Sequence, residues 1–455
     1  MKITKLKFLL FLFCWILFQP VCIAFPQTED PEVKALKLFE QFAIDYEKQQ
    51  IPDFGFDYKA NFRNIPNLEK IASQKQFFER YTKELQQTDR QVLRGATRYD
   101  YDQLQYELNL NLERLRLEEK FRKGKEQTIP ETGLAALPNG QEWYNFYVRY
   151  YTSTSLSPDE LMDFGQQEVK RVQGEIRKLR AKMGYAKDST GFYKHLQNSE
   201  YLLLSEKDVE IRYQQIQKMV GNNLKKLFLK TEVPLVQIKP WPDAGPNTPP
   251  GYYHPARNSA EASTFYYNFY GQKHNVRATD WMFLHEGIPG HHYQSELSKD
   301  LRNQAEFSPH FYYPANTEGW AAYVENYGKE LGLYRTPAQE LGKWEWDLVR
   351  SARVVIDVGI HAKGWSKEQA IAYWKKQVPG QGEIADREVT RCLNWAGQVL
   401  SYKVGEKVIK EMLVTRKTSD GKNFDLRRFH ADYLAKGSRP MEVIQKAMLE
   451  QSITP

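Results

Sequence analysis

The chain has 455 residues, a formal charge of +7, 14% aromatic residues and three cysteines. The length admits one large core or two. The mild charge gives no reason to expect nucleic acid, and so few cysteines exclude a disulfide-stapled scaffold.

The N-terminal stretch carries Lys2, Lys5 and Lys7, an apolar run from Phe8 to Phe18, then Pro20 and Cys22-Ile23-Ala24. This is the three-part pattern of a secretory signal peptide, with cleavage after Ala24. The apolar run is short for a membrane span, and Gln19-Pro20-Val21 is a poor approach to a lipidated Cys22. Removing residues 1–24 takes away three lysines and two cysteines, which leaves +4 and Cys392 alone. The expected product is an exported protein, periplasmic or extracellular, with no internal disulfide and no later membrane span.

Most of the remaining chain reads as helix. Residues 101–124 are strongly helical. Ser157-Pro158-Asp159-Glu160 is a capping box with proline at the first helical position, opening a charged amphipathic helix that ends near Gly184. Ser205-Glu206-Lys207-Asp208 opens another, with Ile211, Ile216, Met219 and Val220 on one stripe. Ser366-Lys367-Glu368-Gln369 opens a third. Between 230 and 275 the character changes: Leu235–Ile238 reads as a short strand, Pro240–Gly251 as a loop, and Ser263–Tyr270 as a run of strand formers. The expectation is a mainly α protein with a small β-sheet beside its functional site. Residues 25–200 form an N-terminal helical lobe and residues 201–455 the catalytic lobe, the two making one continuous unit.

Residues 285–292 read HEGIPGHH. In a zinc-protease helix the pattern is H-E-x-x-H, and the second histidine's place here is Pro289. Histidines six apart on an unbroken helix differ by about 240° net, so His285 and His291 could not share an ion. His285 and His292 share a face but are separated by about 10 Å of rise. Pro289, however, cannot donate to the carbonyl of His285, and its ring clashes there, so the helix must bulge or break. Gly290 adds backbone freedom. Two residues looped out at Pro289-Gly290 would bring His291 to the usual second position. A third ligand is then needed downstream, and Glu318, in Asn316-Thr317-Glu318-Gly319-Trp320, starts a predicted helix beside a glycine that permits close helix approach. Glu325, two turns on, is placed to support a ligand. The alternative is that His291 and His292 lie on the surface and Glu318 complements a helix dipole.

HEGIPGHH together with EGWAAY at 318–323 resembles the signature of a bacterial family called domain of unknown function 885, whose members are regarded as zinc metallopeptidases. Further stretches are similar: Leu137–Gly140 with the tyrosine-rich run to Tyr151, Gly251-Tyr252-Tyr253, Asp357–Trp365, Gly397–Gly405, and Phe429-His430 with Leu434 and Gly437. The likeness runs from about 130 to 450 and is strongest after 250; it also implies a longer region before 130 than this chain has. The resemblance implies a gluzincin-like helical peptidase with a deep cleft, akin to the angiotensin-converting enzyme and Taq-type carboxypeptidase groups. It implies Zn2+ held by His285, His291 and Glu318, with Gly290-His291 matching the Gly-His pair of those groups and favouring His291 over His292. Glu286 would be general base. Donors to a developing oxyanion would come from Tyr402, His361 and His430, with Tyr253 and Arg391 behind them. Asp357 would orient a ligand histidine or pair with Arg353. The strand at Thr264–Tyr270, with Tyr266 and Asn268, would hold an extended peptide at a sheet edge. A zinc-dependent amide hydrolase on a non-peptide substrate, and a catalytically silent peptide-binding protein, are the competing readings.

Overall fold

The computed structural model describes residues 30–453 apart from 53, 125–127, 259–260 and 302–303. The signal-peptide reading of residues 1–24 lies outside the described residues. The architecture is mainly α with two small sheets.

Five helices build the N-terminal part: α1 (Pro31–Lys48), α2 (Tyr58–Arg63), α3 (Leu68–Gln86), α4 (Gly95–Lys123) and α5 (Gly140–Thr152). Phe42, Phe77, Phe78 and Tyr81 interlock α1 with α3 through ring contacts. Next comes α6 (Pro158–Lys182), where the Ser157 hydroxyl and the Glu160 carboxylate form the capping box read from sequence. After α7 (Ser189–His195) and the two-residue β1 (Leu202–Leu203) comes α8 (Glu206–Asn223), capped by Ser205. Its inward stripe is Val209, Tyr213, Ile216 and Val220. Ile211, placed on the stripe by sequence, is 42% exposed instead. Ile216 and Val220 face inward as read, and Tyr213 holds the inward place that Ile211 was given.

The mixed sheet contains β2 (Gln237–Pro240), β3 (Gly251–His254) and β4 (Thr264–Tyr267), in the order β2-β4-β3, with β2 parallel and β3 antiparallel to β4. The strand read at 235–238 therefore begins two residues later, and the run to Tyr270 ends at Tyr267. A further consequence corrects the sequence reading. β4 is the central strand and both its sides are paired, so it cannot present an edge to a peptide. The unpaired sides belong to β2 and β3. A short antiparallel pair joins β1 to β5 (His274–Asn275).

The C-terminal part holds α9 (Val276–Glu286), α10 (His291–Ser298), α11 (Pro314–Val324), α12 (Pro337–His361), α13 (Lys367–Gln377), α14 (Ala385–Asn394), α15 (Ser401–Asp420), α16 (Leu426–Leu434) and α17 (Met441–Ile453). Ser366 caps α13 in the expected box. α12 is buried on nearly every face from Asp347 to His361. It packs against α6 and α9. Val354 and Val358 of α12 and Leu400 and Val404 join the apolar core of α1–α5. Cys392 is buried and free. No helix among the described residues is long and apolar enough to cross a membrane.

Candidate metal centre

The segment that the motif depends on breaks the helix outright. α9 stops at Glu286, Gly287–Gly290 leave the helical path, and α10 begins at His291. Four residues are looped out rather than the two read from sequence. The Ile288–Pro289 peptide is cis, and Trp320 Nε1 donates to the Pro289 carbonyl at 2.9 Å, pinning the loop to α11. A Cβ at Gly290 would lie 1.9 Å from the His285 carbonyl oxygen, so only glycine lets the chain return over the end of α9. The return sets the rings of His285 and His291 edge to face, centroids 4.7 Å apart.

The third group arrives on α11. Its Gly319 lies so close to Gly405 of α15 that an added Cβ would meet the Gly405 Cα at 2.5 Å. This backbone-to-backbone approach seats Glu318 with its Oε2 3.3 Å from His285 Nε2 and 3.4 Å from His291 Nε2. On the far side of the first ring, His285 Nδ1 lies 2.8 Å from Glu325 Oε1. Arg350 Nη1 donates to both Glu325 oxygens at 2.7 and 2.9 Å. A carboxylate so held accepts, which puts a proton on Nδ1 and leaves Nε2 as the atom that faces Glu318. Glu325 thus takes the supporting position expected of it.

The electrostatics follow from crowding. Burial and the Arg350 guanidinium push the His285 imidazole down, but Glu318 and Glu325 outweigh them and raise it to about 9. Burial alone would raise Glu318; His291 and His285 instead hold it well below the usual carboxylate range. A divalent cation would take over the role of those protons. Two imidazole nitrogens and a carboxylate oxygen, mutually within 4.8 Å, match the donors zinc uses where a fourth position stays open. Glu318 Oε2 is buried and accepts no hydrogen bond within the protein, a lone pair that such an ion would satisfy. The residues present fit the metal.

His292 points elsewhere: its Nε2 donates to the Pro234 carbonyl at 2.7 Å and its Nδ1 accepts from Tyr253 Oη at 3.2 Å. That contact also engages Tyr253, which is buried. Glu286 ends α9 half-buried, and makes no hydrogen bond or ion pair among the described residues. Tyr402 stacks on His285, with centroids 6.2 Å apart and planes 18° from parallel, and its hydroxyl accepts from Arg391 Nη2 at 3.2 Å.

Two expected oxyanion donors are not brought to the cluster. His361 is fully buried, its Nδ1 accepting from Leu134 N at 3.2 Å and its Nε2 donating to the Cys392 carbonyl at 2.9 Å. His430 is buried too, donating to the Leu227 carbonyl and accepting from Tyr323 Oη, both at 2.9 Å. With both ring nitrogens engaged, each serves packing. Asp357 neither orients a ligand nor pairs with Arg353. It accepts from Tyr144 Oη at 2.6 Å and from Gly397 N at 3.0 Å, while Arg353 pairs with Glu388. The Asn268 side chain donates to Thr248 O and accepts from Tyr270 N, both at 2.8 Å, so it is used to close its own loop. Tyr266 sits on the central strand opposite Tyr252.

Sequence reasoning missed Arg350 and Tyr312. Arg350 was visible as one of two arginines, three apart, in the stretch Leu348–Ile356. Tyr312 belongs to an aromatic triplet, Phe311-Tyr312-Tyr313, just ahead of the helix bearing Glu318. It is 55% exposed, yet surrounding protein raises its phenol, and the charge of Glu318 and the phenols of Tyr402 and Tyr252 act on it too.

Solved structures share this fold, two of them as follows. One, from Colwellia psychrerythraea and described as a "putative lipoprotein", has 24% identity and a TM-score of 0.67, covering 92% of this chain and 74% of that one. The other, from Shewanella oneidensis and described as a "putative lipoprotein of unknown function", has 17% identity and a TM-score of 0.71, covering 91% and 99%. At such identities the likeness speaks for the fold alone. No curated protein matches the chain. The family model described as "Bacterial protein of unknown function (DUF885)" matches residues 116–448, and the chain belongs to that family.

Proposed function

We propose that this protein is a zinc-dependent peptidase of the bacterial cell envelope, with Glu286 as its general base. One observation carries the reading: His285 Nε2 and His291 Nε2 converge on a single oxygen of Glu318, while Glu325 fixes the first ring from behind. A zinc ion in that position supplies Lewis acidity, polarising a scissile carbonyl and lowering the pKa of a water. The Glu286 carboxylate, unengaged by other side chains and adjacent to His285, takes the proton of the attacking water and returns it to the leaving amine. Tyr402 already accepts from Arg391, so its own O–H is free to donate to the oxygen on which negative charge develops. The stack on His285 holds that hydroxyl beside the cluster. An extended peptide has no place on β4; the unpaired side of β3 serves instead, where Tyr252 is 46% exposed. Export rests on the N-terminal pattern of the sequence, and the descriptions of the two solved structures favour an envelope location.

The test is a peptide-library digest read by mass, run on zinc-loaded wild type and Glu286→Gln. Wild type should cleave, and the variant should retain its zinc while losing about 10²- to 10⁴-fold in rate. Zinc-loaded wild type that cleaves no peptide would point to a non-peptide amide as substrate. Unchanged turnover in Glu286→Gln would remove the mechanism.

A further inference from the structure

Three arginines surround the Tyr402 ring, with guanidinium carbons 5.5 to 5.9 Å from its centroid. Two of them are neutralised. Arg350 is held by Glu325 and Arg353 by Glu388. Arg391 has no ion-pair partner among the described residues; Glu388, its nearest candidate on α14, is occupied by Arg353 and Arg387. Its Nη2 donates to Gln398 Oε1 at 3.0 Å and to Tyr402 Oη at 3.2 Å, both neutral acceptors. Its Nε is buried with no acceptor at all. Its guanidinium carbon lies 4.8 Å from the centroid of the Trp395 ring. Burial works against its charge, while Tyr402, Glu388 and Glu318 favour it, in that order. A half-buried guanidinium with no ion-pair partner, whose Nη1 makes no hydrogen bond among the described residues, is suited to one class of ligand, a carboxylate.

We infer that Arg391 binds the free C-terminal carboxylate of the peptide, which makes the enzyme a carboxypeptidase that releases short C-terminal fragments. The inference rests on the peptidase reading. Arg391 touches Tyr402, and Tyr402 stacks on a ligand histidine, so a carboxylate on Arg391 stands within one or two residues of the bond to be cut, each residue spanning about 3.5 Å. An endopeptidase would need an open path past this point and would leave the charge uncompensated. With a C-terminus bound, Arg391 gains a charge-assisted pair and still holds the Tyr402 hydroxyl toward the reacting carbonyl.

Paired peptide libraries, identical except for a C-terminal acid or amide, test this on the zinc-loaded protein. Wild type should favour the acid by about 10- to 100-fold in kcat/KM, the range of a charged hydrogen-bonded contact. Products should be one or two residues shorter than the substrate. In Arg391→Gln the acid should lose that advantage, bringing the two libraries within about threefold, whereas Arg391→Lys should keep part of it. Equal cleavage of acid and amide by wild type overturns the clamp and leaves the peptidase reading intact. A fall by the same factor for both libraries in Arg391→Gln also overturns it, because Arg391 would then only position Tyr402. A second readout needs no turnover: labelled acid and amide peptides are titrated into Glu286→Gln. Preference for the acid that vanishes in the Glu286→Gln, Arg391→Gln double variant supports the clamp, even if wild type cleaves nothing and the peptidase reading fails. Binding with no such preference sinks the clamp.

Discussion

Two clusters among the described residues present three metal-type ligands apiece, and only one of them reads as a metal site. The first is His285, His291 and Glu318; the second is Glu168, Asp347 and Glu406, drawn from α6, α12 and α15. In the second cluster the cation position is already taken. Lys403 Nζ lies 2.6 Å from Asp347 Oδ1, 2.6 Å from Glu406 Oε2 and 2.8 Å from Glu168 Oε2. Arg171 and Lys343 add further positive charge around Asp347, and together with Lys403 they hold it well below the carboxylate range against the opposing pull of burial. The first cluster has no protein ammonium at its centre; its nearest guanidinium, Arg350, is spent on Glu325 behind the ring. Proximity of ligand atoms is therefore common to both clusters, and the identity of the nearest cation separates them.

The contrast can be broken most directly by counting zinc. His285→Ala and Glu318→Ala should each lose nearly all bound zinc by elemental analysis. Glu168→Gln should keep the wild-type content, because the ion it would share is a lysine. Loss of zinc from Glu168→Gln, or retention in Glu318→Ala, would reverse the assignment of the two clusters. His292→Ala should also keep its zinc, since that ring is occupied by Pro234 and Tyr253.

Next in size is the cost of removing the internal cation. Lys403→Met leaves three carboxylates facing one another with no central charge. Breaking a buried pair in this way costs about 3–5 kcal/mol. Urea unfolding followed by circular dichroism at fixed zinc should show a loss of that order, with zinc content unchanged. A change below about 1 kcal/mol would mean that the network is solvated and does not hold α6, α12 and α15 together.

A smaller effect belongs to the supporting carboxylate. Glu325→Gln keeps the shape but weakens the hold on His285 Nδ1 and leaves Arg350 without its counter-charge. Loss of such support typically costs about 10- to 100-fold in metal affinity. Competition with a chelator would read this out; unchanged affinity would mean that packing alone orients the ring.

Local signals were the legible ones. Ser157, Ser205 and Ser366 each cap the helix they were expected to open, because a cap needs only three neighbouring residues. HEGIPGHH announced a broken helix, since a proline four places after His285 has one local consequence. The rest depended on partners far along the chain. β4 is central because Gln237–Pro240 pairs on one side and Gly251–His254 on the other, and nothing within the strand states this. His361 and His430 looked available until Leu134, Cys392, Leu227 and Tyr323 were seen to occupy their nitrogens. A histidine's role is fixed by what meets both its ring atoms, and sequence spacing carries no such information.

A third kind of buried acid completes the comparison, one with no cation at all. Glu107 on α4 is 3% exposed, and its Oε1 accepts from Tyr313 Oη at 2.8 Å. Burial raises it to about 8, with the tyrosine contact only partly opposing. Near neutral pH it is therefore mostly protonated when folded but ionised when unfolded, where it titrates near 4.5. The folded state holds the extra proton, so the contribution of Glu107 to stability is complete below about pH 4.5 and falls as pH rises toward 8. The slope cannot exceed about 1.4 kcal/mol per pH unit. Glu107→Gln copies the protonated shape and can still accept from Tyr313. Between pH 6 and pH 7 wild type should lose about 1 kcal/mol more than the variant, measured by denaturant unfolding at each pH. Parallel curves would mean that Glu107 is ionised when folded, and that an acid in this protein can be buried without either a metal or a lysine to hold it.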